Sequence, residues 1–132
     1  MLDNKETVEV HENGKYSIEE IAEKESFIAP VVDIYENEDD FVMVANMPGV
    51  SRENIQLKLE EESFIIFGKV NYENLVNRKY ILNENEIGNY YRKFKISKSI
   101  DESKIHAKME SGQLFVHLPK HERVKPRNIT IK

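Results

Sequence analysis

Three histidines and one arginine are the side chains in this sequence with the most chemistry open to them. With Met109 opposite Leu114 in a hairpin, His106 falls directly across from His117, on the face away from Ile105 and Ala107. Two imidazoles across a ladder can share a metal ion, but such a site needs further ligands. His121 is near in sequence and no Asp or Cys is obviously placed, so no metal site is expected. A pH-sensitive contact or a solvated polar face are the other readings. In YYRKFKI, residues Tyr90, Arg92, Phe94 and Ile96 share one face, and Tyr91, Lys93 and Lys95 share the other. Arg92 therefore lies on the more apolar face, where an unpaired charge is costly. Glu86 is the candidate carboxylate, within the chain or across a dimer; the alternative is an edge arginine snorkelling to water.

No arrangement completes an enzyme. The chain has no G-x-S-x-G turn, no phosphate-binding loop, no dinucleotide fingerprint and no H-E-x-x-H. No catalytic residue and no cofactor is expected. Cysteine is absent, which removes disulfides and thiolate chemistry. The clusters Glu38-Asp39-Asp40 and Glu60-Glu61-Glu62 fall in turns, where solvation is the expected reading and protection of sheet edges against aggregation the alternative.

What remains is apolar recognition. The chain ends in KPRNITIK, and in extended backbone Ile129 and Ile131 point to the same side like two prongs. The stretch KHERVKPRN before them is a polar tether held open by Pro119 and Pro126. Edge-strand addition with side-chain pockets is an established way to seat such a segment. The expected groove lies between strand 55–60, presenting Ile55, Leu57 and Leu59, and a hairpin face carrying Ala107, Met109, Leu114 and Val116. The other reading makes ITI the domain's own last strand. A second such segment is Tyr80-Ile81-Leu82, an apolar triplet in the middle of the long connection 71–88. It is expected to pair with something outside the domain, the alternative being a loop folded back on its own sandwich.

At 132 residues the chain makes one domain plus tails. Residues 1–29 hold eight Asp/Glu and three Lys, which accounts for the net charge of −5; the rest balances sixteen of each sign. That acidic arm and balanced body carry no nucleic-acid footprint. No run has the length or apolarity of a membrane span, and MLDNKETVEV lacks the pattern of a signal peptide. A cytoplasmic location is expected.

The elements that must position these residues are mostly strands. VVDIY (31–35), FVMVAN (41–46), IQLKLE (55–60), FIIFGKV (64–70), YYRKFKI (90–96) and the hairpin pair 104–109 and 114–118 are short, apolar or alternating, and separated by turn material. With no crossover helix between them, they predict an all-β, immunoglobulin-like antiparallel sandwich. Gly112, in the connection ESGQ, secures the last hairpin. In the arm, Ser17 with Glu20 reads as a capping box and Tyr16 with Ile21 as a hydrophobic staple, opening a short helix over 18–25. The expected organisation is an arm (1–29), a sandwich (30–119) and a C-terminal extension (120–132).

In order along the chain, APVVDIYENEDDFVMVANMPGV, IQLKLEEESFIIFGK, ENEIGNYYRKFKI, IHAKMESGQLFVHLPK and the terminal ITI resemble the alpha-crystallin domain of small heat-shock proteins. The likeness covers residues 30–132. Gln113 stands where the A-x-x-x-x-G-x-L signature often has Val or Ile, and the arm lacks the family's Phe-rich stretches. The resemblance implies an ATP-independent holdase that binds unfolding client proteins under stress. It also implies a homodimer that exchanges the strand in the long loop, with dimers joined by the I-x-I tail into higher oligomers. Two other roles are open: a coat-like assembly protein using the same domain, and a co-chaperone of the related CS type, which would need neither the strand-bearing loop nor the I-x-I tail.

Overall fold

Alternating apolar residues and short turns fold this chain into two stacked sheets, as the strand pattern predicts. The computed structural model describes residues 7–8, 17–126 and 128–131. Its strands are β1 (Thr7–Val8), β2 (Phe27–Ile28), β3 (Val31–Glu36), β4 (Asp40–Asn46), β5 (Ile55–Glu60), β6 (Ser63–Gly68), β7 (Asn89–Lys95), β8 (His106–Glu110) and β9 (Gln113–Pro119). Two short helices, α1 (Ile18–Lys24) and α2 (Tyr72–Val76), accompany them. One sheet has the order β1-β8-β9-β4-β3 and the other β2-β7-β6-β5.

Because side chains alternate along a strand, each strand sends one set inward. Met43 and Ala45 of β4, Leu57 of β5, Phe64 and Ile66 of β6, and Leu114, Val116 and Leu118 of β9 meet in one buried cluster between the sheets. The outer face of β6 is also buried, at Ile65 and Phe67. This explains why FIIF is apolar without alternation: both faces of that strand are covered.

The hairpin of β8 and β9 has the expected register, with Met109 opposite Leu114 and His106 opposite His117. Its turn is tighter than the expected four-residue connection. Only Ser111 and Gly112 lie between the strands, and both have positive φ, 49° and 78°. That is the twist a two-residue hairpin demands. In the arm, the Ser17 hydroxyl accepts from the Glu20 N–H at 3.3 Å, the expected cap. The helix ends at Lys24, one residue short of expectation. Tyr16, the expected staple partner, lies outside the described residues.

Candidate functional site

The long connection 71–88 opens with α2, capped by the Asn71 side chain accepting from Asn74 N–H at 3.2 Å. Tyr80 is then tied back, its hydroxyl donating to the Leu75 carbonyl at 2.6 Å. Beyond that point the apolar residues face solvent, with Ile81 103% and Leu82 75% exposed. They lie in no strand, and among the described residues nothing pairs with them as one. A receptive edge exists on the same molecule. β3 is an edge strand of the five-stranded sheet, opposite the β1 edge, and Val31, Ile34 and Tyr35 along it are exposed.

The C-terminal extension leaves β9 under control and ends without it. Lys120 donates to Glu36 at 2.7 Å and to the Asn37 carbonyl at 2.9 Å, and its ammonium lies over the Phe41 ring. A single 3-10 turn follows at Glu122–Val124, with Lys125 paired to Glu122 at 2.8 Å. Beyond it Ile129 and Ile131 are 86% and 93% exposed.

The side chains expected to line a groove turn inward. Ile55, Leu57, Ala107, Met109, Leu114 and Val116 are buried in the core cluster, and Leu59 is packed against it half-buried. Leu114 and Val116 sit on β9, in the middle of its sheet, but the other two strands are peripheral. β5 is the last strand of its sheet, and β8 is next to last in the other, with β1 paired along its outer side. Any segment seated there meets strand edges first and these side chains from the rim.

Arg92 faces the interior beside Ile66, its register partner. Its guanidinium donates to the Pro30 carbonyl at 3.2 Å and lies over the Phe94 ring at 4.9 Å. Glu86 is exposed, and among the described residues no ion pair joins Arg92 to a carboxylate. Within one chain the arginine thus settles on a carbonyl and an aromatic face. His106 and His117 stack with centroids 4.8 Å apart and planes 7° apart. His117 approaches Asp40 at 3.7 Å, while His121 lies 3.9 Å from Asp101. Among the described residues no group of three or more His, Cys, Asp or Glu is placed to hold a metal.

Sequence reasoning missed how the arm joins the body. Phe27 and Ile28 add as a parallel strand beside β7, and the Asn89 N–H donates to the Ser26 carbonyl at 2.8 Å. Phe27 stacks on Tyr91 at 5.5 Å and meets Phe67 edge-on at 5.8 Å. Beside it the Glu25 carboxylate accepts from Asn89 at 2.7 Å and from Lys69 at 2.8 Å. Burial would raise the Glu25 pKa, but the Asn89 hydrogen bond and the Lys69 hydrogen bond and charge outweigh it and hold the carboxyl below its ordinary value. Gly88 makes the approach possible, since a Cβ there would sit 2.8 Å from the Ser26 carbonyl oxygen. Two signals pointed to this contact: the two-faced apolar run of β6 and the glycine ahead of β7.

Residues 33–132 match the model of the Hsp20/alpha crystallin family. The chain belongs to that family. Its members are small heat-shock proteins, chaperones rather than enzymes, and the sandwich seen here is the alpha-crystallin fold. A probable 15 kDa heat shock protein of Leptospira interrogans is 33% identical over 100 residues, covering 76% of this chain and 76% of that protein. Among solved structures, heat shock protein 16.0 of Schizosaccharomyces pombe superposes with a TM-score of 0.64 at 28% identity, over 80% of this chain and 99% of that one. The small heat-shock protein of Xylella fastidiosa, which has a distinct high order structure, also gives 0.64, at 27% identity over 80% and 97%. Among the described residues no helix is long and apolar enough to cross a membrane.

Proposed function

We propose that this small heat-shock protein is an ATP-independent holdase that binds unfolding proteins and prevents their aggregation, with assembly and dissociation controlling access to its apolar surface. The observation that carries this reading is the exposure of Ile81, Leu82, Ile129 and Ile131 on a body whose core is otherwise closed. Such residues need partners outside their own fold.

In this reading the segment Tyr80–Leu82 adds to the open β3 edge of a second copy, supplying the ladder partner that edge lacks. Arg92 and Glu86 meet across the dimer so formed. The tail of a neighbouring dimer seats Ile129 and Ile131 against the side of the sandwich built by β5 and β8. Ile55, Leu57, Ala107, Met109, Leu114 and Val116 are its floor and Leu59 its rim. Burying both isoleucines would contribute roughly 3–6 kcal/mol before ordering costs. That suits reversible assembly. Warming or clients would displace the tail and shift the population toward open dimers.

Two measurements test this. The full chain should suppress light scattering from a heated model protein without added nucleotide; no suppression would leave only an assembly role of the coat-like kind. A chain truncated after Pro126 should elute as a smaller species than the full chain, and equal sizes would remove the tail as the inter-dimer link.

A further inference from the structure

His106 and His117 stand directly opposite each other in the β8–β9 ladder, on the face turned away from the core residues Ala107 and Val116. Their rings stack, with centroids 4.8 Å apart and planes 7° apart. His106 is exposed, and 36% of the His117 side chain is. The tautomer of each ring is set by an oxygen at Nδ1. In His106 that nitrogen lies 3.3 Å from the Lys104 carbonyl, which can only accept, so Nδ1 carries the proton. In His117 it faces one Asp40 carboxylate oxygen at 3.7 Å. That is too long for a hydrogen bond, but the negative charge favours the proton on the same nitrogen. The other Asp40 oxygen accepts from the Asn37 amide at 2.8 Å, which holds the carboxylate in place. Each ring is left with Nε2 as its free lone pair. An oxygen behind Nδ1 and a bare Nε2 in front is how metal-ligating histidines are arranged. The neighbouring cation is turned aside: Lys108 pairs with Glu110 at 3.3 Å and lies over the Phe115 ring.

We propose that His106 and His117 form an open, two-nitrogen site for a divalent transition-metal ion, with water completing its shell. Imidazole nitrogen suits Zn2+, Ni2+ and Cu2+, Cu2+ binding most tightly, whereas Mg2+ and Ca2+ want oxygen. Among the described residues no group of three or more His, Cys, Asp or Glu forms, so the ion is exchangeable and not a closed structural centre. That shortage of ligands is why the sequence predicts no metal site; the structure adds the orientation of the two nitrogens present. Metal–nitrogen bonds of about 2.0–2.1 Å hold two donors roughly 3.4 Å apart at a tetrahedral ion. Each ring has only to tilt its Nε2 edge toward the other. Because the ladder holds both rings, the second bond forms at high effective concentration. The pair should therefore bind roughly 100-fold tighter than a lone imidazole. The bound ion ties β8 to β9 and stabilises the folded hairpin by mass action.

The test titrates the full chain with Zn2+ against a chromophoric chelator. His106→Ala, His117→Ala and their double variant are compared with His11→Gln and His121→Gln as controls. The parent should bind one ion per chain, and either alanine should weaken binding roughly 100-fold. The double variant should lie close to each single one, because breaking either bond breaks the chelate. The His11 and His121 variants should bind as the parent does, and Mg2+ should not compete. Saturating zinc should also slow amide exchange in peptides spanning residues 105–118 of the parent and leave the alanine variants unchanged. Half the ions lost with each alanine would make the two imidazoles independent and overturn the chelate. One ion per two chains would place it between copies and overturn it equally. Loss of binding on changing His11 or His121 would move the site elsewhere on the chain. Exchange over 105–118 that zinc does not alter would overturn the tie between the strands on its own.

Discussion

Phe27 and Ile131 are both apolar residues outside the main meander, one before it and one after it, and their surroundings are opposite. Phe27 has a ring stacked on one face, another at its edge and a strand partner in β7. Ile131 is 93% exposed at the end of a polar tether. Near Phe27 the neighbouring charges are also spoken for, through Glu25, Lys69 and Asn89. Near Ile131 the last ion pair among the described residues is Lys125–Glu122. Residues around Phe27 therefore report on the stability of one chain. Those at the tail and at Ile81 should report on the association of several.

The sharpest way to break that contrast is at the tail. Ile129→Ser with Ile131→Ser should bring the assembly down to dimers by light scattering. Denaturant unfolding of the sandwich should shift by no more than about 0.5 kcal/mol, as for other exposed sites. A large loss of stability would place the tail in its own fold. Next in size is the loop. Ile81→Ser with Leu82→Ser should weaken the dimer by roughly 100-fold or more, since two apolar side chains lose their burial, and sedimentation should show monomer. A dimer that survives unchanged would remove the strand-exchange reading. Phe27→Ala works in the other direction. It should cost about 2 kcal/mol of chain stability, less than a fully buried phenylalanine, and leave dimer dissociation alone.

The two regions were also unequally legible. The body could be read because its strands are short apolar or alternating runs: β4 is continuously apolar, β5 and residues 105–109 alternate, and Met109 opposite Leu114 set the hairpin register that places His106 on His117. The tail and the triplet at Tyr80–Leu82 stood out because isoleucine and leucine amid charge have no place in a solvated segment. Docking of the arm left only indirect traces, the two-faced apolar run of β6 and Gly88. Phe27 and Ile28 form a two-residue parallel strand, too short for any period, and their partners lie far along the chain. The tightness of the β8–β9 turn was hidden for a different reason. Ser111 adopts positive φ, which a serine does not advertise as glycine does. The residues expected to line a groove lie on β5, β8 and β9 and turn into the core; alternation tells which face a side chain takes and not how deep it lies.

The smallest expected effect tests the arm's polar anchor. Glu25 and Lys69 are mostly but not fully buried, with side chains 19% and 22% exposed, so the pair is screened in part and its loss should cost about 1 kcal/mol. Because the folded Glu25 pKa is lowered, the unfolded or undocked state binds the proton more readily. The stabilisation is then fully present above the ordinary glutamate range, about 4.3, and is lost as pH falls through the lowered folded value. The Asn89 N–H, which donates to the Ser26 carbonyl, is a direct reporter of arm release. Its exchange protection should be flat through neutral pH and fall on acidification below the ordinary glutamate range. Glu25→Gln should reduce protection at neutral pH and flatten the acid dependence, because an amide keeps one acceptor for Asn89 but has no charge for Lys69. If the glutamine chain loses protection in acid as steeply as the parent, another carboxylate governs the arm. The contrast between a locked N-terminal junction and a free tail would then rest on the aromatic stack of Phe27.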